Sequence, residues 1–431
     1  MNEAQRITEW VEQKKESAIA LARAVWGFAE PNWRETQSAA AISAALEAEG
    51  FALERRPCGM ETAFVATWGG EGPVIAFLGE YDALPALSQQ AGRAEKAPLC
   101  EGAPGHGCGH NLLGAGSFAA AVALKDYCRE TGLRATVKYF GCPAEEDGGG
   151  KVFFARAGYF DKVDAVFAWH PGPANYVSGQ GCLAVTGVLY SFKGRTAHAA
   201  GAPFAGRSAL DAAELMNVGC NYLREHIIPE ARLHYAYRDV GGTAPNVVQE
   251  SACVHYYIRA PRVAQMLDIK RRVDDVARGA ALMTGTALTI REVDGFSDYV
   301  PNRALSELLW QCMREVGAPA WDEADRALAA QFAATLSTGE RADNLASTLS
   351  ATDLPLSHYA GDGIAPFFYD PKTAEPGSTD VGDVSYCAPT AQCYYAAGAL
   401  GTGGHTWQMA AQSCSPLGFK GMLAAAAAMA H

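Results

Sequence analysis

Four short stretches of this chain gather side chains that bind metal ions. The first is Gly105-His106-Gly107-Cys108-Gly109-His110-Asn111. A thiolate and an imidazole both suit a borderline-soft divalent ion, and with one glycine between them both can turn into one pocket. Two ligands are too few by themselves, and the segment reads equally as a glycine-rich turn. The second is Cys142-Pro143-Ala144-Glu145-Glu146-Asp147. Adjacent carboxylates repel unless a cation or a basic group neutralises them. A metal would let one glutamate bind the ion while its neighbour holds the water; without one, this is a solvated acidic turn. Trp169-His170-Pro171 and Gly403-Gly404-His405-Thr406-Trp407 each add one imidazole, and a lone histidine is more often structural than a ligand. Together Cys108, His110, Glu146, His170 and His405 form a mixed sulfur, nitrogen and oxygen set suited to two close ions of zinc or manganese type.

Such a set works only if separate elements converge on it. Apolar residues recur at helical spacing over Glu3 to Phe28 (Ile7, Trp10, Val11, Ile19, Leu21, Val25, Trp26), which predicts a helix there. A second helix is expected from about Thr36 to Glu49, ending at Gly50. Val74 to Leu78 is a continuous apolar run, as in a strand buried on both faces. Ala135 to Phe140 and Ala165 to Trp169 read as further strands, with an alanine-rich helix from Leu112 to Cys128 before them. This order predicts an α/β layer on a largely parallel sheet, with the acidic pair at a strand's C-terminal end, where such folds place their chemistry.

The pattern changes near Gly181. Cys182 to Lys193 is β-rich, Ser208 to Glu225 helical, Ala252 to Arg259 a strand and Arg262 to Met283 a helix, a package that closes near Asp294. Helices resume after Asn302, and the tail after Pro376 leads to a final helix. The expected fold class is α/β: a split catalytic domain (1–181 and 298–431) with a mixed, largely parallel sheet, interrupted by a smaller α+β domain (182–297).

The 431 residues leave room for two domains, and 49% hydrophobic against 19% charged residues exclude a disordered or collagen-like chain. Lys+Arg of 35 against Asp+Glu of 47 gives a net charge of −12, which argues against a nucleic-acid partner. Met1 to Lys15 is polar and charged, unlike a secretory signal, and Ala424 to Ala430 is far shorter than the ~20 apolar residues needed to cross a bilayer. The expectation is a soluble cytoplasmic protein with no membrane partner. Its twelve cysteines are scattered (Cys58, Cys128, Cys220 and Cys312 among them) and are expected to be mostly buried thiols, not a disulfide framework.

The order Gly-Cys-Gly-His, Pro-Ala-Glu-Glu, His-Pro and late Gly-His resembles the aminoacylase and carboxypeptidase G superfamily of metal-dependent hydrolases. Within it, the sequence is most similar to the aminobenzoyl-glutamate hydrolase B-subunit group. The residues that carry this are Gly79-Glu80-Tyr81-Asp82-Ala83-Leu84-Pro85, Gly105 to Gly114 and Pro143 to Asp147 in the first half. Gly194-Arg195-Thr196-Ala197-His198 and Ala244-Pro245-Asn246-Val247-Val248 follow in the inserted segment. Gly377 to Asp383 and Gly403 to Gln408 complete the match, the former with no role assigned.

The resemblance implies two divalent ions, Mn or Zn, that activate water to cleave the amide of an N-aroyl or N-acyl amino acid, aminobenzoyl-glutamate being the first candidate. It implies Glu145 as general base and then acid, and Cys108, His110, Glu146, His170 and His405 as ligands, with Cys108 bridging. Asp82 would orient a ligand. This chain carries Glu80-Tyr81-Asp82 where related auxin-conjugate hydrolases carry Asp-Met-Asp, so the role of Glu80 stays open. His198 matches a histidine that reaches a neighbouring subunit's site and stabilises the oxyanion. Asn246 and Arg259 match segments that contact the substrate carboxylate. The inserted domain would serve dimerisation as a lid, in a homodimer or higher homo-oligomer or beside a homologous partner subunit. Two other functions use the same residues: hydrolytic deamination of an activated aromatic amine, and a subunit of a hetero-oligomeric amidase. Cys108 as the nucleophile of a Cys-His enzyme would leave the paired glutamates unexplained.

Overall fold

A computed structural model describes residues 3–350 and 363–431; Met1 and Asn2, at the start of the polar N-terminal stretch, lie outside them. The chain divides into two units: Met1–Gly181 with Val300–Glu375 and Asp383–His431, and Cys182–Tyr299 with Pro376–Gly382.

The first unit is built on a seven-stranded sheet. Its strands are β1 (Ala52–Arg55), β2 (Phe64–Trp68), β3 (Val74–Glu80), β4 (Thr136–Cys142), β5 (Ala165–Gly172), β6 (Tyr176–Val177) and the strand Thr390–Ala396. The spatial order is β1-β2-β4-β3-β5, then Thr390–Ala396, then β6. The four central strands, β4, β3, β5 and Thr390–Ala396, pair in parallel, and the flanking pairs are antiparallel. This is the mixed, largely parallel α/β sheet expected. Its centre reads as continuous apolar runs because it is covered on both faces.

Helices cover that sheet. α1 (Glu3–Gln13) and α2 (Lys15–Phe28) replace the single helix expected over Glu3 to Phe28. The break at Lys14 has no glycine or proline to announce it; the Lys14 ammonium sits 2.7 Å from the Glu49 carboxylate instead. α3 is Thr36–Ala48 and α4 is His110–Thr131, two residues longer at its start than the sequence suggests. α4 lies so close to β5 that a Cβ on Gly116 would come within 2.8 Å of the Trp169 indole nitrogen. Its alanines, with Phe77, Val137, Tyr139 and Trp169, form the core of this unit. No helix among the described residues is long and apolar enough to cross a membrane.

The second unit has a four-stranded antiparallel sheet in the order Ala287–Phe296, Ala184–Lys193, Ser251–Ala260, Arg232–Asp239. Along Ser251–Ala260, Ala252, Val254, Tyr256, Ile258 and Ala260 point to one side and pack with Met216 and Val273 of two helices, Ala209–Leu223 and Val263–Thr284. Pro376–Gly382 docks here: Leu183 N donates to Gly377 O at 2.9 Å, and Arg259 Nη1 donates to Ser378 Oγ at 2.7 Å.

All twelve cysteines are free thiols. The expectation that most are buried needs correcting: Cys128, Cys142, Cys182, Cys220, Cys312 and Cys393 are buried, whereas Cys58, Cys100 and Cys387 are exposed. A thiol is small enough to be tolerated on either side of the surface, so residue type alone does not place it.

Candidate metal centre

The C-terminal ends of the parallel strands meet the start of α4. β3 ends on Glu80 and is followed by Asp82; β4 is followed by Glu145 and Glu146; His170 lies near the end of β5. His110 opens α4 behind Gly109, whose φ of 79° is a left-handed conformation that glycine adopts without strain. His405 reaches the same place from the loop before the helix Trp407–Gln412, tied by its N–H to Gly107 O at 2.9 Å.

Among the described residues, three groups of donors have their atoms within 4.8 Å of one another: Cys108 with His110 and His170, Cys108 with Glu146 and His405, and Glu80 with His110 and Glu145. Cys108 Sγ lies 3.4 Å from His170 Nε2, and His405 Nε2 lies 3.2 Å from Glu146 Oε2. The other ring nitrogens of His110 and His170 are held from behind. His110 Nδ1 donates to Asp82 Oδ1 at 2.8 Å, and His170 Nδ1 donates to the Pro171 carbonyl at 2.8 Å. Both imidazoles therefore turn Nε2 inward, the arrangement that outer partners impose on metal-ligating histidines. His106, in the same motif, faces elsewhere: it is buried against the Val25 carbonyl at 3.0 Å, and burial pushes its pKa down to about 4.

Buried atoms without hydrogen-bond partners mark the centre: Glu80 Oε2, His110 Nε2 and Glu146 Oε1. Burial costs such atoms dearly unless something satisfies them. The charges around them pull the titrating groups apart. Burial favours neutral His110, but Asp82 and Cys108 outweigh it and raise its pKa well above the ordinary value. Burial and the neighbouring His110 lower His170. Burial and Glu146 push the Cys108 thiol up, so a cation is needed to draw out its proton.

The turn that carries the glutamate pair hangs from two buried carboxylates. Glu146 N donates to Asp82 Oδ2 and Ala144 N donates to Glu35 Oε1, both at 2.9 Å. Glu35 also accepts from Trp33 N and Thr62 Oγ1; burial, with Asp82 nearby, pushes its pKa up to about 7. Between the two anchors Ala144 takes a φ of 56°, a conformation that costs a β-carbon residue energy and needs such support.

The sequence-expected residues thus separate into two places. Cys108, His110, Glu145, Glu146, His170, His405 and Asp82 converge in the first unit. His198, Asn246 and Arg259 belong to the second. There His198 Nδ1 accepts from Ala200 N and Gly201 N at 3.2 and 3.1 Å, which leaves its proton on Nε2. Asn246 O accepts from Ala199 N at 3.0 Å, so these two loops are neighbours. Arg259 is half-buried, its guanidinium 5.6 Å from the Tyr257 ring centroid. Sequence reasoning missed Glu35 and Lys151. Lys151 Nζ is wholly buried, 2.6 Å from Glu80 Oε1, and its one signal is an isolated lysine between three glycines and an apolar run.

An α/β unit with this donor cluster at its strand ends places the chain in a class: it belongs to peptidase family M20/M25/M40, whose model matches residues 76–359. Among individual proteins, it is 42% identical to the B-subunit of the p-aminobenzoyl-glutamate hydrolase of Escherichia coli, over 98% of this chain and 90% of that one. It is 32% identical to the Xaa-Arg dipeptidase of Mus musculus, over 72% and 71% of the two chains. In fold it is similar to an aminobenzoyl-glutamate utilization protein from Klebsiella pneumoniae, with a TM-score of 0.64 and 20% identity over 96% and 97% of the chains.

Proposed function

We propose that the chain is a metal-dependent amidohydrolase that cleaves the amide of an N-aroyl or N-acyl amino acid, aminobenzoyl-glutamate first among them. The observation that carries this reading is the set of inward-facing buried polar atoms without hydrogen-bond partners, Glu80 Oε2, His110 Nε2 and Glu146 Oε1, beside a thiol and two further imidazoles. Such a set fits cations. Cys108, His110, Glu146, His170 and His405 would hold two divalent ions of manganese or zinc type. Such ions would lower the pKa of a water and polarise an amide carbonyl.

The chain's own groups then divide the work. Glu145, its Oε2 3.9 Å from His110 Nε2, takes the proton of the attacking water and passes it to the leaving amine. Asp82 keeps His110 in the tautomer that offers Nε2. His198 offers an Nε2–H donor for the oxyanion, supplied across a dimer of this chain. Asn246 and Arg259 receive the carboxylate of the amino-acid half, a guanidinium being suited to such a group. In this reading the first unit is catalytic and the inserted unit is a lid and dimerisation domain. The assembly is a homodimer or a larger homo-oligomer, or a pair with a homologous subunit, working in the cytoplasm on a small molecule.

The test is hydrolysis by the purified chain, loaded separately with Mn2+ and Zn2+, of a panel of aroyl and acyl amino acids together with activated aromatic amines. Release of an amino acid from aminobenzoyl-glutamate or a close analogue is expected. Turnover of the amines alone would replace amide cleavage with deamination, and no turnover by the isolated chain would point to a dependent subunit.

A further inference from the structure

We infer that Glu80 is a sixth protein donor of the metal centre, a carboxylate held in place by the buried ammonium of Lys151. The inference rests on the two-metal reading above and deepens it.

Glu80 is the last residue of β3, and its side chain is almost wholly buried. A structural ion pair would engage the carboxylate for its own sake. Here Lys151, the second residue of α5 (Gly150–Arg156), takes Oε1 at 2.6 Å, while Oε2 has no hydrogen-bond donor. That second oxygen points into the cluster and lies 3.3 Å from His110 Nε2. Because the Nδ1 proton of His110 is committed to Asp82, Nε2 is the ring atom that faces the cluster, and it has no hydrogen-bond partner. Two buried polar atoms that face each other without a hydrogen bond are reconciled by positive charge between them. Glu145 Oε2 and Glu146 Oε1 lie 3.9 Å from the same nitrogen, so three carboxylates surround one imidazole edge. One extra proton on that ring would leave an excess of negative charge in a buried place; a divalent ion offsets more of it. Lys151 has a matching purpose. It fixes the rotamer of Glu80 from the far side and keeps the added carboxylate from overcharging the site.

The two ion positions therefore differ. Oxygens from Glu80 beside the His110 nitrogen form a harder donor set than the Cys108 sulfur and His170 nitrogen on the other flank. The His110 position is the manganese-preferring one, and the Cys108–His170 flank suits zinc.

The experiment titrates the chelator-stripped full chain with Mn2+ and with Zn2+, following bound metal by elemental analysis and Mn2+ by its electron paramagnetic resonance. The unaltered chain is expected to bind two ions. Glu80→Gln keeps shape and the Lys151 contact but removes the charge. It should weaken one Mn2+ by roughly 10–100-fold or more, the range seen when even an outer carboxylate partner is lost, and leave the second ion in place. Glu80→Gln/Lys151→Met, which removes both charges, guards against a single variant that fails to fold and should show the same loss. A folded variant that binds both Mn2+ ions with unaltered affinity overturns the assignment. So does a metal-loaded crystal of the unaltered chain in which Glu80 lies outside the coordination sphere. An unaltered chain that binds no ion overturns the two-metal reading itself, and the role of Glu80 with it.

Discussion

The two sides of the donor cluster are built differently. On one side Glu145 and Glu146 sit in a turn whose flanking N–H groups are gripped by buried Glu35 and Asp82, and His110 is locked by Asp82 as well. On the other, His405 stands on a loop, its side chain 58% exposed, with one backbone hydrogen bond to Gly107 and a contact to Glu146. Both turns use left-handed residues without glycine, Ala144 at 56° and His405 at 59°. The strain is alike, but its support is not. The buried side is a floor that belongs to the fold, whereas the exposed side is, in the proposed reading, a ligand brought to that floor, with room to adjust as an ion or substrate arrives.

Substitutions can break this contrast. The largest effect is expected from Glu145→Ala, which removes the proposed proton carrier but none of the six proposed donors. Its kcat should fall by about 10²–10⁴-fold with metal content intact, and equal loss of metal would move Glu145 from base to ligand. Next comes a matched pair. Asp82→Ala strips the His110 and Glu146 anchors at once, so it should weaken metal binding by roughly 10–100-fold and lower stability by about 1–3 kcal/mol. His405→Ala should also weaken an ion but change the stability of the metal-free protein by less than about 0.5 kcal/mol. Equal melting shifts for the two would erase the distinction between floor and ligand.

The smallest effect is read through pH. Glu35 titrates at about 7 in the fold against an ordinary 4.5, so the folded state holds the proton more tightly than the unfolded chain. Stability supplied by that proton is fully present below pH 4.5 and is lost as pH rises to about 7. The metal-free chain should therefore lose stability over this window relative to Glu35→Gln, and the difference should level off above it. A difference between the two proteins that does not change with pH would show that Glu35 is ionised throughout.

Much of this centre is legible in the sequence because each donor travels with a local marker. Cys108 and His110 are set among glycines, Glu145 and Glu146 follow an apolar run, and His170 closes another. What holds the donors is not local. Glu35 meets Ala144 across 109 residues of chain, and no pattern near Glu35 sets it apart from any polar residue at the start of a helix. Lys151 is illegible for the same reason, since a lysine is ordinarily solvated. Three of the central parallel strands, β3, β4 and β5, and two strands and two helices of the second unit follow from runs and periodicity. The outer strands do not: Ala52–Arg55 is mostly exposed, and Arg232–Asp239 is largely open to solvent with only Leu233 fully buried. Thr390–Ala396 is buried but carries Thr and Gln, which mask it.

That last strand has a consequence for how the molecule is made. It fills the gap between β5 and β6, although the whole of the second unit and several helices are synthesised before it. As the polypeptide leaves the ribosome, the nascent sheet must wait with an open seam. Meanwhile Cys182–Tyr299 carries all four strands of its own sheet and can collapse early. His405 emerges only after the closing strand, so a prematurely terminated chain is incomplete in its fold and in its donors at the same stroke.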